Sequence, residues 1–186
     1  FTSIVQGEYY TNYAVAKGSN TQEAEDKNKI LADRGEMPVL IVNKEAEKDQ
    51  VRVGDKNRYT IVVTQDRHYV EAENVVIQDS FDKEGAEYVK KSFKITDKRG
   101  QDITEDVKIL YSDNGFTINT GKNLGYDEYF KITYMVSYAD DSLGGQIITN
   151  TAEADSDNTE SVIAAAQVEV KPDAPELQVK KTAEKD

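Results

Sequence analysis

The chain has 186 residues, enough for one domain of ordinary size with flanking segments. Its 23 basic and 35 acidic residues give a formal net charge of −12, a balance that argues against nucleic acid or an anionic lipid surface as partner. With no cysteine and one histidine, His68, disulfides, thiolate metal sites and cysteine nucleophiles are excluded, and little imidazole chemistry is left.

Apolar residues make up only 38% of the chain, but they cluster in short alternating runs, the pattern of a thin-cored β protein rather than a disordered one. No apolar run is long enough to cross a bilayer and no signal peptide is present, so targeting and anchoring segments of a secreted protein would lie outside this stretch.

In chain order, residues 7–16 (G-E-Y-Y-T-N-Y-A-V-A) read as a strand. Residues 20–33 are polar with good helix formers, and Asn20 with Glu23 fits a capping box, so a short helix or a long solvated loop is expected there. Arg34-Gly35 reads as a stop, and from Pro38 the pattern becomes strand, turn, strand. Strands are expected over 39–43, 51–53, 59–63, 72–81, 88–95, 107–111, 115–119, 129–138, 146–154 and 162–170. The spacing of these runs fits a β-sandwich, and without a βαβ alternation a nucleotide-binding α/β fold is not expected.

Two internal matches organise the chain. P-V-L-I-V-N-K (38–44) returns as P-E-L-Q-V-K-K (175–181), an offset of 181 − 44 = 137 residues. G-E-Y-Y-T-N-Y-A-V-A (7–16) returns as G-Q-I-I-T-N-T-A-E-A (145–154), an offset of 150 − 12 = 138. Two copies of a beginning and two of an end, at nearly one offset, describe a tandem array. Residues 1–37 would be the tail of a preceding repeat, 38–172 one complete repeat, and 173–186 the first strand of the next.

Three polar residues fall on faces that otherwise read as core. Lys44 is in register with Leu40 and Val42, Asp79 with Val75 and Ile77, and Asn150 with Ile148, Ala152 and Ala154. A single such residue is usually a strand end reaching water, and a lysine there can snorkel. Together the three can make an amide. A buried lysine loses its charge and becomes a nucleophile, the carboxamide supplies the carbonyl carbon, and a buried acid stays protonated and assists the proton transfers.

V-R-V-G-D-K-N-R-Y-T-I-V-V-T (51–64), A-E-N-V-V-I-Q-D-S-F (72–81) and I-T-N-T-A-E-A (148–154) resemble the isopeptide-forming, immunoglobulin-like tandem repeat domains of Gram-positive surface adhesins and fimbrial proteins. The resemblance covers residues 38–171. It implies an immunoglobulin-like antiparallel β-sandwich and a Lys44–Asn150 isopeptide bond promoted by Asp79, with Glu128 as the alternative acid. It also implies an extracellular, cell-wall-attached stalk with no cofactor and no catalytic turnover, whose partners are neighbouring repeats. Asn12 and Lys181 would be unpaired half-sites of those neighbours. The sequence departs from the family at Glu45, where threonine is usual, as at Thr182, and in the long, charged region 82–128.

Two weaker signals remain. Asp155, Asp157 and Glu160 space oxygen ligands as a calcium loop might, but lack the central glycine and full ligand count of an EF-hand. Region 82–128 is the candidate surface if the module instead recognises a host protein or glycan. A turnover enzyme is the least supported class, since no nucleophile motif accompanies the lone histidine.

Overall fold

A computed structural model describes residues 9–20, 24–31 and 37–173. The chain divides between Met37 and Pro38 into two compact units. In the first, β1 (Tyr9–Ala16) and β2 (Ala24–Leu31) form an antiparallel hairpin in which all eight residues of each strand are paired. This corrects the helix or loop expected over residues 20–33. The segment A-E-D-K-N-K-I-L has no apolar stripe at helical spacing to bury, so strand pairing satisfies its backbone instead.

The second unit is all strand and short 3₁₀ turns. Its elements are β3 (Leu40–Ala46), β4 (Gln50–Arg52), β5 (Lys56–Gln65), β6 (Val76–Phe81), β7 (Glu87–Tyr88), β8 (Lys94–Thr96), β9 (Lys108–Tyr111), β10 (Gly115–Asn119), β11 (Tyr129–Ser137), β12 (Gln146–Asp155) and β13 (Val162–Lys171). They form two sheets, one in the order β4-β13-β12-β6-β10-β9, the other β3-β5-β11-β7 with β8 beside β11. All pairings are antiparallel except β4 with β13. The architecture is an immunoglobulin-like sandwich.

Alternation places the core. Leu40 and Val42 of β3, Tyr59, Ile61 and Val63 of β5, and Phe130, Ile132, Tyr134 and Val136 of β11 face inward from one sheet. Ile77 and Phe81 of β6, Phe116 and Ile118 of β10, and Ile148, Ala152 and Ala154 of β12 face inward from the other. These side chains belong to one contiguous cluster.

Residues 88–95 are not one strand, as their pattern suggests. The chain leaves the sheet after β7, makes a 3₁₀ turn over Lys90–Ser92 and rejoins as β8. Ser92 fixes this detour: its Oγ donates to the Val89 carbonyl at 2.6 Å and accepts from the Met135 amide at 2.7 Å. A serine side chain thus replaces one rung of the backbone ladder. Among the described residues no helix is long and apolar enough to cross a membrane.

Candidate functional site

The polar residues of the core converge between the sheets. Lys44 is the third inward position of β3, opposite Ile61 of β5. Asp79 and Asn150 come from adjacent strands of the facing sheet. Ala152 of β12 pairs with Asp79 of β6, and Asn150 pairs with Phe81, so the two polar side chains are diagonal neighbours on the same inward face. The side chains of Lys44 and Asp79 are fully buried, and Asn150 has no exposed surface.

Lys44 Nζ donates to Asp79 Oδ2 and, at 2.8 Å, to the Tyr134 hydroxyl. Asn150 Nδ2 donates to the same hydroxyl at 3.3 Å. Tyr88 donates its hydroxyl proton to Asp79 Oδ1 at 2.8 Å. A single phenol therefore joins the amine and the carboxamide, and a second orients the acid. The Asn150 Oδ1 atom is buried with no hydrogen-bond partner. An unsatisfied acceptor in a dry core costs ~1–3 kcal/mol.

Aromatic rings wall the site and exclude water. Tyr134 is stacked between Tyr59, with centroids 5.7 Å apart, and Phe93, at 5.1 Å, and the edge contact with Phe116 is at 5.2 Å. Lys44 Nζ lies 5.3 Å from the Tyr59 ring centroid and 5.5 Å from that of Tyr134. Rings held on both faces leave the Tyr134 hydroxyl little freedom to move.

Burial sets the protonation of the pair. It pushes the Lys44 pKa below the usual lysine value, against the opposing pull of Asp79. It pushes Asp79 above the usual carboxylate range, against Lys44 and the hydrogen bonds of Tyr88 and Tyr134. Both shifts favour the neutral forms, an amine and a carboxylic acid. Burial above all also holds the phenols of Tyr88 and Tyr134 protonated far above neutral pH. Such a set can carry out acyl transfer between nitrogens: a neutral amine, a carboxamide carbon, a neutral acid and two phenols.

Glu128, the alternative acid, is not in this site. It sits in the turn before β11, where Asp127 has a positive φ of 59°, so the alternation of the strand does not extend to it. Its carboxylate is part exposed, pairs with Lys98 at 2.7 Å and accepts from the Gly125 amide at 2.9 Å. These hydrogen bonds hold it below the usual glutamate value, opposite to the shift a proton donor needs.

The weak calcium candidate lies in a turn whose aspartates have protein partners. Asp155 Oδ1 accepts from the Ser156 amide at 2.9 Å, and Asp157 Oδ2 accepts from Asn74 Nδ2 at 2.5 Å. The Asp157 amide donates to the Glu73 carbonyl at 2.9 Å. The turn carrying Asp155, Asp157 and Glu160 docks on a neighbouring loop. Among the described residues no three or more His, Cys, Asp or Glu side chains are grouped as metal ligands would be. Asn12 lies in β1 opposite Asn28, with its side chain outside the described residues, as are Lys181 and the strand expected within 173–186.

Sequence reasoning missed Tyr88 and Tyr134. Tyr134 sits in an alternating strand where an aromatic ring reads as core packing, and its hydroxyl leaves no pattern of its own. The one available signal is register: Tyr134 pairs with Tyr59, which lies two residues from the Ile61 opposite Lys44.

No protein-family model matches the chain, and no curated protein matches it. Solved structures do. The full-length RrgB pilus protein from Streptococcus pneumoniae matches with a TM-score of 0.53 and 16% identity, over 80% of this chain and 29% of that one. The N-terminal domain of the Streptococcus gordonii adhesin Sgo0707 matches at 0.52 and 17%, over 72% and 32%. The full-length major pilin SpaD from Corynebacterium diphtheriae matches at 0.50 and 15%, over 68% and 34%. This chain thus spans about a third of the length of each. The likeness is one of fold: the sandwich has the architecture of domains of Gram-positive pilin backbones and surface adhesins.

Proposed function

We propose that residues 38–172 are a structural stalk module of a bacterial cell-surface adhesin or pilus-like protein, cross-linked by a Lys44–Asn150 isopeptide bond that Asp79 promotes. Residues 1–37 then belong to a preceding repeat and 173–186 to a following one, with Asn12 and Lys181 as half-sites completed by those neighbours. The observation that carries this reading is the buried meeting of Lys44, Asp79 and Asn150 around one hydroxyl. A buried ionisable pair with no chemical use is a poor core, since well-packed apolar residues would serve stability as well or better.

In the proposed reaction Lys44 Nζ attacks Asn150 Cγ, an amide forms, and Nδ2 leaves as ammonia. Asp79 holds the proton that turns the ammonium into an amine. As a neutral acid it can also donate to the carboxamide oxygen, which otherwise has no partner. The reaction occurs once per molecule, so the module is not a turnover enzyme.

The bond would close a loop of 150 − 44 = 106 residues. By the chain-entropy relation for cross-links, a loop of this size is worth about 4–5 kcal/mol. It would also tie the first strand of the module to its penultimate one, β3 to β12, and carry tension past the strands between.

Single-molecule stretching from the two termini tests this reading. A cross-linked module withholds residues 44–150 from extension, so the chain released on unfolding is short. Release of the whole module length in the wild-type protein would sink the stalk-with-staple reading.

A further inference from the structure

We propose that the Tyr134 hydroxyl is a catalytic group of the cross-linking reaction, the shuttle that carries a proton from the attacking amine of Lys44 to the departing nitrogen of Asn150. This rests on the isopeptide reading above and adds a component to it.

The need for a shuttle follows from counting hydrogens. An amine nitrogen carries two and keeps one in the amide. A carboxamide nitrogen carries two and leaves as ammonia with three. One proton must therefore pass from Nζ to Nδ2 after the two nitrogens have become substituents of one tetrahedral carbon. Direct transfer between them closes a strained four-membered ring. A hydroxyl between them makes the ring six-membered: it gives its proton to Nδ2, takes one from Nζ, and ends unchanged.

Tyr134 is placed for this. Its oxygen is 2.8 Å from Nζ and 3.3 Å from Nδ2. Before attack the carboxamide nitrogen lone pair is delocalised into the carbonyl, so Nδ2 can only donate to the phenol. Once the carbon is tetrahedral the nitrogen is amine-like and can accept. The hydrogen bond already formed then only has to reverse its direction.

Among the described residues no other group hydrogen-bonds both Lys44 and Asn150. Asp79 has Oδ2 against Lys44 and Oδ1 against the Tyr88 hydroxyl. Tyr88 gives its proton to Asp79 and is hydrogen-bonded to the Asn150 side chain, with no hydrogen bond to Lys44 among the described residues, which makes it a positioning residue for the acid and the carboxamide. Stacking between Tyr59 and Phe93 fixes the Tyr134 ring, so the shuttle needs no reorganisation during the reaction.

The test is the rate of ammonia loss, read by intact mass after a short pulse of cell-free synthesis of the full chain and an acid quench. Tyr134→Phe is expected to slow the loss by on the order of 100-fold or more, the usual weight of positioned proton transfer. Tyr138→Phe, which removes only the buried hydroxyl pair between Tyr59 and Tyr138, is expected to keep the wild-type rate. Should Tyr134→Phe misfold, 3-fluorotyrosine at position 134 changes phenol acidity with almost no change of shape. It should shift the rate several-fold while near-UV circular dichroism stays the same, and 3-fluorotyrosine at position 138 should not. A wild-type rate in Tyr134→Phe, or no response to fluorination at 134, overturns the shuttle and leaves the isopeptide reading intact. A wild-type chain that never loses ammonia overturns both.

Discussion

Lys44 and Asp79 face each other with no exposed side-chain surface, and burial drives both toward their neutral forms. Two predictions belong to this pair. The first concerns rate. With the Lys44 pKa held below 10.5 and that of Asp79 above 3.8, cross-linking should proceed near neutral pH, rise with pH as Lys44 becomes a free amine and fall again as Asp79 loses its proton. Asp79→Ala should slow it by roughly 10²–10⁴-fold, measured by ammonia loss. The second concerns stability. In Lys44→Met the acid remains buried without its cation, and its folded-state pKa lies above the ordinary 3.8. A group whose pKa is raised by folding contributes stability fully below its unfolded pKa and loses it as pH rises through the folded one. Lys44→Met should therefore lose stability as pH rises above about 3.8, relative to Lys44→Met/Asp79→Asn, in urea unfolding curves. The inward placement of Lys44, Asp79 and Asn150 was legible because a polar residue at an apolar register position breaks the alternation of its strand. Tyr88 and Tyr134 were not legible, because an aromatic ring satisfies that alternation and its hydroxyl acts only through partners on other strands.

At the scale of elements, the packing of β10 against β6 positions the acid. Gly115 of β10 lies opposite Ser80, and a Cβ built on it would stand 2.4 Å from the Asp79 carbonyl oxygen. That neighbour is backbone, so it can yield only by moving β6. Gly115→Ala should destabilise the module by about 1–3 kcal/mol and slow cross-linking along with it, as chemical denaturation and ammonia loss would show. The central strand β11 carries Ile132, fully buried between the two sheets, and Ile132→Ala should cost about 2–5 kcal/mol in the same denaturation measurement. Most strands of the sandwich were legible from alternation, β11 and β12 most clearly. Three places were not. The β2 segment carries helix-forming residues but no apolar stripe at helical spacing, and pairing with β1 decides its form. The run over 88–95 alternates convincingly, yet Ser92 takes a backbone position in the ladder and splits it. Glu128 has the parity of β11 but precedes its first residue, beyond a left-handed turn at Asp127.

For the whole molecule, the proposed bond joins β3 to β12 across the sandwich. A loss of about 4–5 kcal/mol in Asn150→Ala should lower the melting temperature by on the order of 10 °C or more for a module of this size. Without cysteine, no disulfide supports the module, and the proposed link would add to what its core supplies. Likeness of fold to pilin and adhesin domains says how the chain is built, while the chemistry of its core says what it would endure. Intact-mass spectrometry of the purified, folded chain asks most directly whether that chemistry happens. The wild-type protein should weigh one ammonia less than its sequence, and Lys44→Ala and Asn150→Ala should each show the full mass. A folded wild-type chain at full sequence mass would contradict the account.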